Sequence, residues 1–395
     1  MCASISRRIK DTVKLGLQKS EINGLRKIKK REINSNERQS ILQTVELTTE
    51  QKNEIDELFL ENYGEKIEYE FHRYYMAFTG HFDSSYFPEM LYNPSFELYM
   101  NLNKKYDPAF SDKNVLPMIA ANAGIKMPET VLSCVYGMYK DGNGKVCDKA
   151  QAAKVIYDEP DLFAKPSVDS YGGVGCCALI MQNGIDTISG ESAEHIIDSY
   201  RDNFVIQKKI KCHEAIRTIY PDSVNTFRII TYRWKDDIFF MPVVMRIGSG
   251  GKVVDNVSSG GMFIGVDMDG QLHDTAFTEA FDKYKEHPDT KVKFAGCKIP
   301  NFEKMLSSAK TMHTFMPQMG CINWDFTLNE NGEAVLIEAN IMGGSIDMLQ
   351  ISHGTGPFGE RTAEVLRWIR QMKNIGVDEQ KKFLFGKMEN DFSEG

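Results

Sequence analysis

Residues 321–342 read CINWDFTLNENGEAVLIEANIM, and Asn331-Gly332 between two apolar runs is the strongest short-range signal for a β-hairpin. A two-residue loop there would set Glu330 against Glu333, Phe326 against Ile337 and Asp325 against Glu338, with Asn340 on the same face two residues on. Directly opposed side chains have Cβ atoms about 5 Å apart, so two carboxylates in that position repel each other unless a cation compensates. Oxygen donors without His or Cys suit a hard ion such as Mg2+, which takes one or two carboxylates together with phosphate oxygens. The other face, Trp324, Phe326, Leu328, Val335 and Ile337, is apolar and would pack on a core. A hairpin whose polar face is simply solvated satisfies the same pattern, so the rest of the chain has to decide.

At 395 residues with 42% hydrophobic content the chain is long enough for two or three domains of ordinary core. A net charge of -8 argues against a nucleic-acid partner bound through overall basicity. The eight cysteines show neither C-x-x-C spacing nor paired histidines nearby, which excludes an obvious zinc site. The N-terminus lacks the apolar core of a signal peptide and no stretch has the length of a membrane span, so the expected location is a reducing cytoplasm.

Residues up to about Ser40 are rich in Lys and Arg, and Ile5, Ile9, Val13 and Leu17 recur at helical spacing. Two readings stay open. Residues 1–40 form a basic amphipathic helix on the inner face of an anionic membrane, or a helix packed on its own protein. Thr48 to Asn103 reads as helical and aromatic, with Phe71, Tyr74, Tyr75 and Phe78 as packing residues. From Pro128 to about Asn340 strands are expected to dominate, and a last helix runs from about Glu360 to Lys373.

Between Phe163 and Ala178 the chain reads FAKPSVDSYGGVGCCA. Glycines let backbone N–H groups approach phosphate oxygens, and Lys165 would add a point charge. The pattern is neither a P-loop nor G-x-G-x-x-G, and a plain hairpin turn fits it as well. Downstream, NFVIQKKIKCHEAI (203–216) reads as a buried strand emerging into a polar segment. Ile210 would offer an apolar slot for a base and Glu214 an acceptor for ribose hydroxyls. In NTFRIITYRWKDDIFFMPVVMRIG (225–248) two strands around Lys235-Asp236-Asp237 bring Arg228 nearly opposite Arg246.

Taken together, Asp112 to Leu366 resembles the ATP-grasp superfamily of carboxylate-amine ligases. VNTFRIIT with VDNVSSGGMFIGVD is similar to its sugar-transfer-associated branch. The resemblance implies an α+β fold in which two α+β subdomains grip ATP, preceded by a helical N-terminal extension. The implied boundaries are 1–105 for the extension, 106–160 for a linker and first segment, 161–215 for the nucleotide-gripping subdomain, 216–375 for the metal-binding subdomain and 376–395 for a tail. It implies Lys113 and Lys165 as phosphate lysines, Ser170, Gly172 and Gly173 in a phosphate-covering loop, and Gln207, Lys208, Ile210 and Glu214 around the base and ribose. Asp325, Glu338 and Asn340 match the acid, acid, asparagine metal set, with two Mg2+ ions accompanying ATP.

The implied reaction activates a carboxylate as an acyl phosphate and joins it to an amine, in polysaccharide or glycoconjugate modification, with amino acid, sugar or peptide substrates. Arg228 and Arg246 would hold the acid and stabilise the tetrahedral intermediate, and Asn256 would position it. Ser345 and Asp347 would line the acceptor site, and Asp255 and His273 are candidate bases by location only. Two departures stand out: Gln207 where many relatives have Glu, and Asn323 where some have a phosphate-binding Arg. A kinase of a small acid or sugar, and a nucleotide-binding scaffold of a glycan-assembly complex, remain the alternatives.

Overall fold

The computed structural model describes residues 2–168 and 173–392. Ser170 and Gly172 lie outside the described residues. The opening hairpin pairs Cys321–Leu328 with Ala334–Asn340 antiparallel, and Asp325 faces Glu338. Its loop is longer than the two residues expected. Asn329 N donates to Glu333 O at 3.0 Å and Gly332 N to Asn329 O at 2.8 Å, leaving Glu330, Asn331 and Gly332 as the loop. Asn329 drives this choice, because its Oδ1 accepts from Asn331 N at 3.1 Å and Glu333 N at 2.9 Å. Gly332 closes the turn with a φ of 70°, the left-handed position that three-residue hairpin loops require.

The extra loop residue shifts the pairing by one, so Phe326 faces Leu336 instead of Ile337. A register irregularity between Asp325 and Phe326 then leaves Ile337 over as a β-bulge and restores the carboxylate pair. Leu336 accordingly takes the core position expected of Ile337, which is only half-buried.

Cys321–Leu328 is buried along its length because it is paired on both edges, to Ala334–Asn340 and to Thr226–Trp234. These strands belong to an antiparallel sheet that continues through Val243–Ile247, Met262–Val266, Leu272–Phe277 and Lys283–Tyr284, with Asp237–Phe240 folded back on Thr226–Trp234. One face packs on the helix Phe302–Phe315 through Phe227, Trp324, Phe326, Met305 and Met312. The other face, with Ile230, Tyr232, Trp234 and Val244, shares a core with Phe59, Tyr92 and Phe96 of the N-terminal segment and Trp368 of the helix Thr362–Asn374. Phe59, Tyr92 and Phe96 therefore cover the sheet as part of the same core, whereas Phe71, Tyr74, Tyr75 and Phe78 form a separate cluster with Phe263 and Phe277.

A second, six-stranded sheet runs in the order Val146–Cys147, Met138–Asp141, Thr130–Val135, Asn203–Lys208, Leu162–Pro166, Cys177–Leu179. The helices Lys149–Val155 and Ala193–Tyr200 fill its core with Ala152 and Ile197. Strands dominate as far as Asn340, as expected, with four α-helices set among them in the described residues: Glu214–Arg217, one marked by the Asp148–Gln151 capping box, one by Ser192 as N-cap, and one by Phe302, Met305, Ala309 and Met312 at helical spacing.

Cys2–Ile33 is one helix of 32 residues, about 48 Å long. It lies on its own protein through buried Ile22 and Ile33, Gln18 to Gln380 at 2.9 Å and Lys29 to Glu89 at 3.2 Å. Val13 and Leu17 point outward, 57% and 68% exposed, so the stripe that packs is a different one. Among the described residues no helix is long and apolar enough to cross a membrane.

Candidate active site

A cleft separates the two sheets. Phe163, Lys165, Gln207 and Lys208 reach it from the smaller sheet, and Thr226, Arg246, Asp325 and Glu338 from the larger. Five cations line it (Lys113, Lys165, Lys208, Lys209, Arg246) against three carboxylates (Asp255, Asp325, Glu338). In a chain of net charge -8 this excess is local and concentrates positive potential where a polyanion would bind.

Arg228 and Arg246 sit on neighbouring strands, offset by two residues, since Arg228 pairs with Val244 and Arg246 with Thr226. Both guanidiniums converge on Asp325. Arg228 Nε donates to Oδ1 at 2.6 Å and its Nη2 to Oδ2 at 3.2 Å, while Arg246 Nη2 reaches Oδ2 at 3.0 Å. Burial alone would push this carboxyl up, but the two arginines outweigh it and hold it down at about 2. Thr226 completes the cage, accepting from Arg246 Nη2 at 2.7 Å and donating its hydroxyl to Asp255 at 2.5 Å. Asp255 is thereby committed to holding Thr226 and Arg246.

Glu338 faces Asp325 across the strands, and its carboxylate is more open, with 29% of the side chain accessible. Lys113 Nζ lies 3.9 Å from Glu338 Oε2, and Asn340 Nδ2 donates to Oε1 at 3.3 Å. Asn340 keeps its amide oxygen as an acceptor, and an ionised carboxylate such as Asp325 has about four lone-pair sites, of which three take arginine donors. Two opposed carboxylates and an amide oxygen fit a hard divalent cation.

Lys165 is buried in the cleft wall, and desolvation together with nearby Lys113 lowers its ammonium to about 8. Both lysines face the same cleft, where their positive potential suits an anion. Gly173, at a φ of 76°, passes so near Asn256 that a Cβ would collide with the asparagine amide. At the other end Gln207 Nε2 donates to Pro128 O at 3.4 Å and Thr130 Oγ1 at 3.3 Å, which leaves its amide oxygen as the acceptor. Phe163, Ile210 and Ile337 supply apolar wall.

Of the residues singled out from sequence, Lys113, Lys165, Gly173, Gln207, Lys208, Ile210, Arg246, Asn256, Asp325 and Glu338 line this one cleft. Arg228 lies behind Asp325, and Asn340 behind Glu338. Glu214 is exposed at the start of the helix Glu214–Arg217 and is not part of the wall. His273 lies elsewhere, between Ser352 O at 2.9 Å and Asp267 Oδ1 at 3.2 Å. Asn323 is fully buried and donates to Asn340 O at 3.2 Å. Phe163, Cys176, Lys209, Thr226 and Ile337 were missed as wall residues. Phe163 had a signal, since it lies two positions before Lys165 on one strand.

A family model described as sugar-transfer associated ATP-grasp matches residues 92–365. Among solved structures, the VanG D-Ala:D-Ser ligase from Enterococcus faecalis is similar at a TM-score of 0.40 and 14% identity, over 67% of this chain and 62% of that one. The L-amino acid ligase from Bacillus licheniformis is similar at 0.37 and 12%, over 71% and 51%. N5-carboxyaminoimidazole synthase from Aspergillus clavatus is similar at 0.37 and 12%, over 61% and 47%. The chain spans about half the length of the carboxyaminoimidazole enzymes it matches, 46% and 47%. No curated protein matches.

Proposed function

The chain belongs to the sugar-transfer associated ATP-grasp family, and on that footing we propose that it is an ATP-dependent ligase joining a carboxylate to an amine on a sugar or peptide acceptor. The observation that carries this reading is the cleft itself: five cations surround two opposed carboxylates, with an apolar slot and the Gln207 acceptor in the same wall.

Lys113 and Lys165 clamp the phosphates, and Gln207 Oε1 accepts from the amino group of the base, between Phe163 and Ile337. Asp325, Glu338 and Asn340 would hold the divalent cation, which would neutralise charge on the phosphate oxygens. The substrate carboxylate attacks the γ-phosphorus and ADP leaves. Arg246, at the mouth of the cage, holds the resulting acyl phosphate by its oxygens, and Arg228 fixes Asp325 from behind. The amine then attacks the acyl carbon, the carbon–oxygen bond to phosphate breaks, and the departing phosphate takes up the proton that nitrogen loses. Asn256, against Gly173, closes the reaction centre from above.

The test is a screen of acid and amine pairs for ADP and phosphate release, repeated with Glu338→Gln. Release that needs both substrates and collapses in the variant supports the ligase. Phosphorylated acid accumulating without an amine requirement makes the protein a kinase, and Mg-ATP binding without turnover leaves a scaffold. The outward Val13 and Leu17, set among lysines, further support contact of the first helix with anionic lipid. Liposome flotation unchanged by Val13→Asp with Leu17→Asp would sink that part.

A further inference from the structure

Past Arg246 and Asn256 the cleft opens into a second chamber of about 310 Å3, which those two residues also line. Part of its wall comes from the helices Cys2–Ile33, Asn36–Leu42 and Glu70–Thr79, through Lys29, Arg38 and Tyr74. These residues precede the stretch 92–365 matched by the family model. That part of the wall is therefore a feature of this chain outside the matched core.

Arg38 is held from two sides. Its Nη2 donates to Asp347 Oδ2 at 2.9 Å, Tyr75 donates its hydroxyl to Asp347 Oδ1 at 2.7 Å, and the guanidinium lies 4.7 Å over the Tyr74 ring. Its Nη1 nevertheless has no hydrogen-bond partner among the described residues. A guanidinium fixed this firmly with a donor to spare suits an acidic group. Lys29 is already neutralised, 3.2 Å from Glu89 and 3.0 Å from Glu32. Glu279, after the strand Leu272–Phe277, also lines the chamber and makes no hydrogen bond or salt bridge among the described residues. The cation that faces Glu279 is Arg38, and Arg38 is hydrogen-bonded to Asp347, so Glu279 shares that cation and can take another.

Lys113 and Lys165 line only the first chamber. The phosphoryl group and the acid that receives it belong there, and the second chamber is left for the attacking nucleophile. We propose that this chamber receives the amine substrate and that this amine also carries an acidic group, a carboxylate or a phosphate. Glu279 pairs with the ammonium and Arg38 Nη1 donates to the acid. The inference rests on the ligase reading, because that reading supplies the need for an amine.

Calorimetric titration of the full chain tests it. Mg-ADP is titrated first, and its failure to bind would sink the nucleotide reading while the chamber is still judged by the probes that follow. These are 6-aminohexanoate against hexylamine and hexanoate, and O-phosphoethanolamine against ethanolamine and inorganic phosphate. The expected result is that at least one bifunctional probe binds about tenfold or more tighter than either of its halves, as two charge-assisted contacts require. The better pair then tells carboxylate from phosphate. Arg38→Gln should reduce that probe to the affinity of its amine half, and Glu279→Gln to that of its acid half, with Mg-ADP binding retained in both. Glu279→Gln breaks no hydrogen bond or salt bridge among the described residues, so the test survives if Arg38→Gln fails to fold. Halves that bind as well as the whole, variants that bind like wild type, or a wild type that binds none of the probes would each overturn the proposal.

Discussion

Replacing Lys165 by Met separates what the cleft needs for binding from what the fold needs for stability. Lys165 is 5% exposed, and burial with Lys113 nearby lowers its ammonium from 10.5 to about 8. At 1.36 kcal/mol per pH unit, the folded chain disfavours the charged lysine by about 3 kcal/mol at pH 7. This cost is fully present below about pH 8. It shrinks as the pH rises, because the unfolded chain there binds the extra proton, and it is gone above the unfolded value of 10.5. Met keeps the unbranched stem and removes the charge, so Lys165→Met should gain up to about 3 kcal/mol at pH 7 without nucleotide, and close to nothing near pH 10.5. Mg-ADP affinity should move the other way, weakening about 10- to 100-fold with the lost charge-assisted contact. Urea melts of both proteins at pH 7 and pH 10, taken as differences, isolate the lysine from other titrating groups. A variant no more stable than wild type at pH 7, or one whose advantage is the same at both pH values, would refute the argument.

Asp325→Asn leaves Arg228 and Arg246 buried without their counter-charge, and urea melts should register a loss of about 3–5 kcal/mol. Glu338→Gln, more exposed and not held by an arginine, should lower stability by less than about 1 kcal/mol while abolishing the Mg2+ dependence of ADP affinity in calorimetry. Ile337→Ala removes apolar cleft wall and should weaken ADP about fivefold, roughly 1 kcal/mol, with little change in the melting transition. A chelator should leave the circular dichroism melt of the nucleotide-free protein in place, because the two arginines already compensate Asp325; a fall of several degrees would contradict that.

The carboxylate pair was legible through two misreadings that offset each other. Asn-Gly correctly announced the turn, but Asn329 folds its side chain back onto Asn331 and Glu333 and lengthens the loop by one residue. A bulge at Ile337 takes that residue up again before Glu338. The longer loop has a local cause in Asn329, which the stronger Asn331-Gly332 signal masks, whereas the bulge depends on what the strand packs against. Lys165 and Gln207 were legible through the resemblance to the ATP-grasp family, and Arg246 also through the pairing of its strand with that of Arg228. Thr226 and Lys209 were not, since their place in the wall depends on how the two sheets come together. The helix Phe302–Phe315 has a legible apolar spacing in Phe302, Met305, Ala309 and Met312, set within a stretch otherwise rich in strands. The role of the N-terminal aromatics needed the far end of the chain, where Trp368 lies.

That shared core also governs how the chain emerges during synthesis. Tyr92 packs against Cys321, 229 residues later, and Asn101 bonds the carbonyls of Cys321 and Ile341, 220 and 240 residues away. At 5–20 residues per second the N-terminal aromatics wait roughly 10 to 50 s for the sheet that covers them. Through that interval Phe59, Tyr92 and Phe96 lack the sheet face and Trp368 that cover them, so the nascent N-terminal segment is a natural client for a holding chaperone, and its yield on expression should track chaperone supply more closely than the stability of the finished fold.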